Sequence, residues 1–214
     1  MPLIAGDTVF IGGSDHAFIA LGLNDGKLLW KFDGLNGPVV STPLLYEGKL
    51  IFGAWDRNLY ALDKQEGKLL WKWNNGSSVI NFSPAACIPV AVNGVVYVVA
   101  PDRVITAIDA QTGLALWRNN ETRVRESIGI SNDGKWVYGK TMQDTIVAYA
   151  ASREAQRPAW TMHAGFGYEH VPSMLIEKEG QVFLVRAAAW YMPSTLPSKR
   201  YYGRIKLITP WSIR

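Results

Sequence analysis

One cysteine, Cys87, and three histidines are all that the 214 residues offer to thiol or imidazole chemistry. A single thiol excludes an internal disulfide and a cysteine-based zinc cluster. His163 and His170 stand seven apart in HAGFGYEH, which fits neither H-x₃₋₅-H nor the helical H-E-x-x-H pattern. His16, in GGSDHAF, reads as an exposed residue in the loop between a second and a third strand, and Cys87 as a small buried hydrophobe. No apolar run approaches the roughly 18 residues of a membrane-spanning helix. The start, MPLIAGDTVF, lacks the basic opening and long apolar stretch of a secretory leader. No G-x-S-x-G, phosphate-loop or dinucleotide fingerprint occurs. Acidic residues stop at Glu179: residues 186–214 carry six Lys and Arg and no Asp or Glu. The net charge of +4 therefore divides into +6 there and −2 over residues 1–185. A nucleic-acid footprint needs a basic face, and the larger region has none to offer.

Tryptophan, by contrast, is abundant, with nine residues. Trp30, Trp71, Trp117 and Trp160 stand 41, 46 and 43 residues apart. A period in the low forties with strand-like content points to propeller blades, not helical solenoids. In the second repeat an inner strand runs through VVSTPLLY, a second through KLIFGA, a third through NLYALD and an outer one through KLLWKW. Each is short, rich in leucine, aromatic or β-branched residues, and bounded by a turn such as Glu47-Gly48 or Asn93-Gly94. The fold class is all-β: a β-propeller of four-stranded antiparallel blades, about four of them, forming an incomplete arc. Residues 1–185 make the repeat region, with blades ending near residues 32, 73, 119 and 162 and a fifth beginning; residues 186–214 form a basic tail outside the repeat.

The third and outer strands are joined by a fixed pattern, A-x-D-x-x-x-G-K-x-x-W. Ala61, Asp63, Gly67, Lys68 and Trp71 match it fully, and Ala107, Asp109, Gly113 and Trp117 match with Leu114 in the lysine place. Ala20, Gly26, Lys27 and Trp30 match with Gly22 in the aspartate place; the fourth copy keeps Ala148 and Trp160, is two residues longer, and loses both Asp and Gly. The small alanine permits close approach of a neighbouring blade, and the aspartate can bond the amides of its own turn. The glycine permits the turn, and the tryptophan offers roughly 200 Å² to bury, an upper bound of about 5 kcal/mol each. The pattern is an inter-blade clasp; stacking platforms for a ligand are the less economical reading.

These residues resemble the tryptophan-docking motif of the pyrroloquinoline-quinone-type propeller repeats. That family includes the eight-bladed propellers of quinoprotein alcohol dehydrogenases and the propeller of the outer-membrane barrel-assembly lipoprotein. The resemblance covers about residues 5–185. It implies a non-catalytic scaffold for a protein partner or a ligand, in the periplasm or cell envelope. Two alternatives accompany it: a fragment of a quinone-dependent dehydrogenase, or the accessory propeller of a longer enzyme such as a metallophosphoesterase fusion. The dehydrogenases place an adjacent cysteine pair beside the quinone and Glu, Asn and Asp around Ca²⁺, and this chain has one cysteine. No catalytic, cofactor or metal residues are therefore assigned, and no cofactor is expected.

Propeller ligands meet the inner strands and the loops at the channel ends. Aligned on the inner hairpin glycine, Ser41, Ser127 and Ser173 fall in register, and Ser83 joins them if four inserted residues are allowed. Asn81, Arg125, Glu126, Glu169 and His170 lie nearby. They form either a small polar funnel for a polar ligand or a solvated lining bonded to neighbouring blades. An arc of blades also has two open flanks, which predicts a self-associating chain, or one whose neighbours are a protein partner or further blades of the same polypeptide.

The tail has its own explanation in the genetic code. Joining the last base of each codon to the first two of the next, Trp190-Tyr191 forces Val, Met192-Pro193 forces Ala and Tyr201-Tyr202 forces Leu. The slipped frame can read V-Y-A-I-D and then L-W, with the motif's spacing. Residues 186–214 thus read as an out-of-frame fifth blade, the alternative being a natural basic tail. A nucleotide read across codons 184–188 decides between them.

Overall fold

The computed structural model describes residues 1–164, 175–178, 181–185 and 204–208. Its first four sheets are four-stranded antiparallel meanders laid out in chain order. Sheet one comprises β1 (Leu3–Ala5), β2 (Thr8–Gly12), β3 (Phe18–Gly22) and β4 (Leu28–Phe32). Sheet two comprises β5 (Leu44–Tyr46), β6 (Lys49–Gly53), β7 (Asn58–Asp63) and β8 (Leu69–Asn74). Sheet three comprises β9 (Val90–Val92), β10 (Val95–Val99), β11 (Ile105–Asp109) and β12 (Ala115–Asn119). Sheet four comprises β13 (Val124–Ile130), β14 (Trp136–Thr141), β15 (Thr145–Ala150) and β16 (Trp160–His163). This is the incomplete propeller arc that the repeat predicts.

The middle strands carry the core because they face neighbours on both sides. Every residue of β6, β10 and β11 is buried, whereas β4 and β8 expose Leu28, Leu29, Leu69 and Leu70 at the rim. Blades one and two meet through Phe18 and Phe52, stacked with ring centroids 4.1 Å apart. The first hairpins of blades two and three use paired left-handed residues, Glu47-Gly48 and Asn93-Gly94, the geometry that suits two-residue turns. Cys87 is fully buried and receives the Val99 amide on its sulfur at 3.4 Å; burial pushes the thiol up to about 12.

Two inner strands are shorter than the sequence suggests. The stretch VVSTPLLY yields only Leu44–Tyr46, because Pro43 has no amide to give to the ladder. Pro89 truncates β9 to Val90–Val92 in the same way, and the preceding segment winds into two short 3₁₀ turns, Ile80–Phe82 and Pro84–Ala86. Among the described inner strands only β13, which lacks proline, runs to seven residues.

A fifth sheet contains β17 (Ile176–Lys178), β18 (Gln181–Val185) and β19 (Arg204–Ile208). β17 and β18 form the antiparallel hairpin that opens a blade, but β19 pairs with β18 in parallel. A continuing meander would place an antiparallel strand there. The rest of the 186–214 tail, with Glu169, His170 and Ser173, lies outside the described residues.

Candidate functional site

The repeated pattern builds the inter-blade joint first. Each motif alanine sits directly across from its tryptophan: Ala20 with Trp30, Ala61 with Trp71, Ala107 with Trp117 and Ala148 with Trp160. A larger residue there would compete with the indole for one face of the sheet. Immediately after the alanine the register slips in the first three blades, which turns the outer strand toward the next blade. The Trp30 indole N–H then donates to the Lys64 carbonyl at 3.2 Å, and the Trp71 indole N–H to the Ala110 carbonyl at 3.0 Å. Both ring faces lie on the next blade's motif glycine: a Cβ on Gly67 would run into Trp30, and one on Gly113 into Trp71. Glycine is therefore required twice over, for its φ of +68° or +72° and for the indole above it.

The aspartates hold those glycine turns. Asp63 Oδ1 accepts the Gln65 and Glu66 amides at 2.8 and 2.7 Å, and Asp109 Oδ1 accepts those of Gln111 and Thr112 at 3.0 and 2.7 Å. Burial pushes the Asp109 carboxyl upward. The Thr112 amide, the Arg153 guanidinium at 2.6 Å, the Thr112 hydroxyl and the Gln111 amide outweigh it and hold the group at about 2. The folded-state value thus lies below the ordinary carboxylate value of about 3.9. The stability that Asp109 contributes is complete above about pH 4 and lost as the pH falls toward 2. Urea midpoints of the wild type should therefore drop across that window, and Asp109→Asn should flatten the drop; equal slopes would refute it.

Blade four replaces the clasp with something else. Trp117 is 4% exposed and stacks on Tyr149 at 5.6 Å, yet among the described residues its indole N–H has no acceptor. The corresponding carbonyl, that of Ala151, is taken by the Asn93 side chain at 3.1 Å. The longer loop is tied to blade three by Arg153 on Asp109, by Tyr97 on the Ser152 carbonyl and by Asn119 on the Gln156 carbonyl.

A second repeated feature appears at the end of the arc where β2–β3-type loops meet the blade-to-blade connections. His16, Arg57, Arg103 and Asp144 have φ of 62°, 75°, 66° and 61°. Each precedes its motif alanine by four residues. A non-glycine residue in the left-handed region costs on the order of 1–2 kcal/mol, and such strain concentrates at functional sites. The preceding aspartates stabilise two of these turns: Asp56 Oδ1 accepts the Asn58 amide and Asp102 Oδ1 the Val104 amide, both at 3.1 Å.

These turns join blades. Ser83 Oγ accepts the Arg57 amide at 2.9 Å and donates to the Ile80 carbonyl at 2.6 Å. Arg103 pairs with Glu126 of the next blade. Asp102 takes Arg118 at 3.2 Å and the Asn75 side chain at 3.0 Å, while Arg118 also lies 5.8 Å over the Trp73 ring. Asp56 Oδ2 accepts the Asn36 amide at 3.0 Å and the Tyr60 hydroxyl at 2.6 Å. Burial, then the Asp56 carboxylate, pushes the Tyr60 phenol upward, so it stays a donor. Among the described residues the Arg57 side chain pairs with no carboxylate; its guanidinium reaches the Ser78 carbonyl at 3.4 Å. It borders a polar cleft of about 220 Å³ that Asp56, Asn58, Asn74, Ser77 and Ser78 complete.

The residues singled out from sequence as channel lining divide. Arg125, Glu126 and Ser127 lie in an irregular stretch of β13, where the register jumps from Val124–Thr141 to Ile128–Gly139. Arg125 and Ser127 are buried, and the Arg125 guanidinium contacts the Met142 sulfur at 3.3 Å. Ser83 is spent on the Arg57 turn, Asn81 is exposed, and the Ser41 hydroxyl is buried with no hydrogen-bond partner among the described residues. The described serines are thus not linked into one ring. Asp56, Arg57, Asp102 and Arg103 were not marked by composition or spacing to glycine. Their signal is the recurring place four and five residues before the motif alanine.

The one thiol is sealed inside blade packing, and among the described residues no three His, Cys, Asp or Glu side chains converge to hold a cation. Among them, too, no helix is long and apolar enough to cross a membrane.

A family model described as outer membrane protein assembly factor BamB matches residues 1–86 and 73–155. Comparison with curated proteins gives no match. Among solved structures, quinohemoprotein alcohol dehydrogenase from Comamonas testosteroni aligns with a TM-score of 0.63 at 18% identity, over 86% of this chain and 38% of that one. Quinohemoprotein alcohol dehydrogenase ADHIIG from Pseudomonas putida HK5 aligns at 0.60 and 17%, over 86% and 37%. The computationally designed Ika8 protein aligns at 0.66 and 16%, over 85% and 53%. The chain spans 37% to 53% of the length of these three structures, and at such identities the likeness is one of fold.

Proposed function

Because this chain belongs to the family described as outer membrane protein assembly factor BamB, we propose that it is a non-catalytic propeller scaffold that holds a protein partner at the charged end of its arc. One observation carries the reading: four successive blades place a polar residue in a strained left-handed turn at that end, and among the described residues Arg57 has no carboxylate partner there and borders a polar cleft. A guanidinium in that setting suits an acidic or carbonyl-rich segment of another protein. The family's description as an outer membrane assembly factor supports the cell envelope as its place of work.

A dehydrogenase reading has the fold likeness but not the residues. Titration with pyrroloquinoline quinone and Ca²⁺, followed by tryptophan fluorescence, should show no saturable change, and saturable binding would overturn the scaffold reading. A photo-crosslinking residue at position 57 should capture defined protein adducts from envelope extract, while one at position 28 on the outer rim should not. Equal capture at both positions would remove the charged end from the proposal.

A further inference from the structure

The connection from blade two to blade three is longer than the one before it. Residues 75–89 separate β8 from β9, whereas 33–43 suffice between β4 and β5. The extra residues are fastened down. Asn75 Oδ1 accepts the Ser77 amide at 3.0 Å, and the Asn75 side-chain amide donates to the Phe82 carbonyl at 3.1 Å. Ser77 Oγ accepts the Val79 amide at 3.1 Å, and the Phe82 amide reaches the Val79 carbonyl at 3.1 Å. Ser83 Oγ ties the Ile80 carbonyl to the Arg57 amide. Beneath the turn Pro84 and Ala85 are buried, and a Cβ on Gly53 of β6 would strike the Pro84 carbonyl. Yet the apolar side chains that this frame holds remain in water. Val79 is 46% exposed, Ile80 57% and Phe82 37%, and no residue of the turn Ile80–Phe82 is buried.

Neighbouring apolar side chains left exposed mark a contact site, and a loop already held in one shape loses little freedom when it is covered. Arg57 stands beside them. It is exposed, its guanidinium reaches the Ser78 carbonyl at 3.4 Å, and among the described residues it pairs with no carboxylate. The adjoining Asp56 carboxylate is engaged by the Asn36 and Asn58 amides and the Tyr60 hydroxyl. We infer that, within the scaffold reading on which this rests, residues 79–82 and Arg57 form one docking face for an extended segment of another protein that carries apolar side chains next to Asp or Glu. The apolar side chains cover Ile80 and Phe82, and a carboxylate meets Arg57 in the forked geometry that a guanidinium favours. An anionic bilayer calls for several free cations, and Arg103 and Arg118 at the same end are already paired with Glu126 and Asp102.

Fluorescence anisotropy of the full chain with short labelled peptides of alternating Asp-Leu, Lys-Leu or Asp-Ser tests this face. The Asp-Leu peptide should bind saturably, and the other two roughly tenfold more weakly or worse. Ile80→Ser with Phe82→Ser should weaken the Asp-Leu peptide by roughly tenfold at low and high salt alike. Arg57→Gln should weaken it by about fivefold at low salt and little at high salt, where exposed charges are screened. Urea midpoints of both variants should match the parent chain, since the altered side chains are exposed. No saturable binding, equal affinity for the Asp-Leu and Asp-Ser peptides, or no loss in the double variant would overturn the inference. So would phosphatidylglycerol vesicles or a second copy of the chain, seen by sedimentation, engaging Ile80 and Phe82 in place of the peptide. Protein adducts captured at position 57 that persist in the Ile80→Ser, Phe82→Ser chain would refute this face and leave the scaffold reading standing.

Discussion

Trp71→Ala should lower the free energy of unfolding by about 3–5 kcal/mol, the range for emptying a buried aromatic site. Trp71 is 7% exposed, and it belongs to two blades at once. Its ring covers Gly113, and its N–H satisfies the buried Ala110 carbonyl. Removal opens a cavity at the joint and orphans that carbonyl, and neither blade can collapse into the space without breaking its own ladder. Trp71→Phe keeps most of the packing and loses the hydrogen bond, so about 1 kcal/mol of its cost is the polar part. Trp30→Ala should cost less, because Trp30 is only half-buried. Urea midpoints for the three variants rank these effects; a Trp71→Ala loss no larger than that of Trp30→Ala would mean that the joint is not where the arc gets its rigidity.

The joint was legible in the sequence because each of its parts needs one residue type at one spacing. Only glycine fits under an indole at positive φ, and only a small residue fits across from it, so the motif is written plainly around Gly67 and Gly113. The fourth copy shows the converse. Its loop lost both Asp and Gly, and the structure retains the blade by other bonds, from Arg153 to Asp109 and from Asn93 to the Ala151 carbonyl, that no spacing announces. The charged end was hidden for a different reason. A left-handed turn usually advertises itself with glycine, whereas Arg57 and Arg103 occupy it through Asx bonds from the preceding aspartates, and Asp-Arg in a loop looks like any solvated pair. Of the inner-strand serines, Ser41 and Ser83 lie beside prolines that replace strand with turns, whereas Ser127 lies in the irregular stretch of β13.

Glu126→Ala should destabilise the chain by about 3 kcal/mol, because it leaves Arg103 without its partner in a largely buried setting. The side chains of Arg103 and Glu126 are only 21% and 11% exposed. The double variant Arg103→Met with Glu126→Leu removes both charges and should recover most of the stability, since a buried pair replaced by apolar residues of similar volume is often neutral or better. That comparison separates two reasons for the pair to exist. If the double variant is stable but loses the adducts captured at position 57, the ion pair serves recognition at the charged end and not the fold. If it is stable and still captures them, recognition rests on Arg57 and its cleft alone. If it is as unstable as Glu126→Ala, the pair is a structural rivet between blades three and four, and the strained turn at Arg103 is held for the sake of that joint.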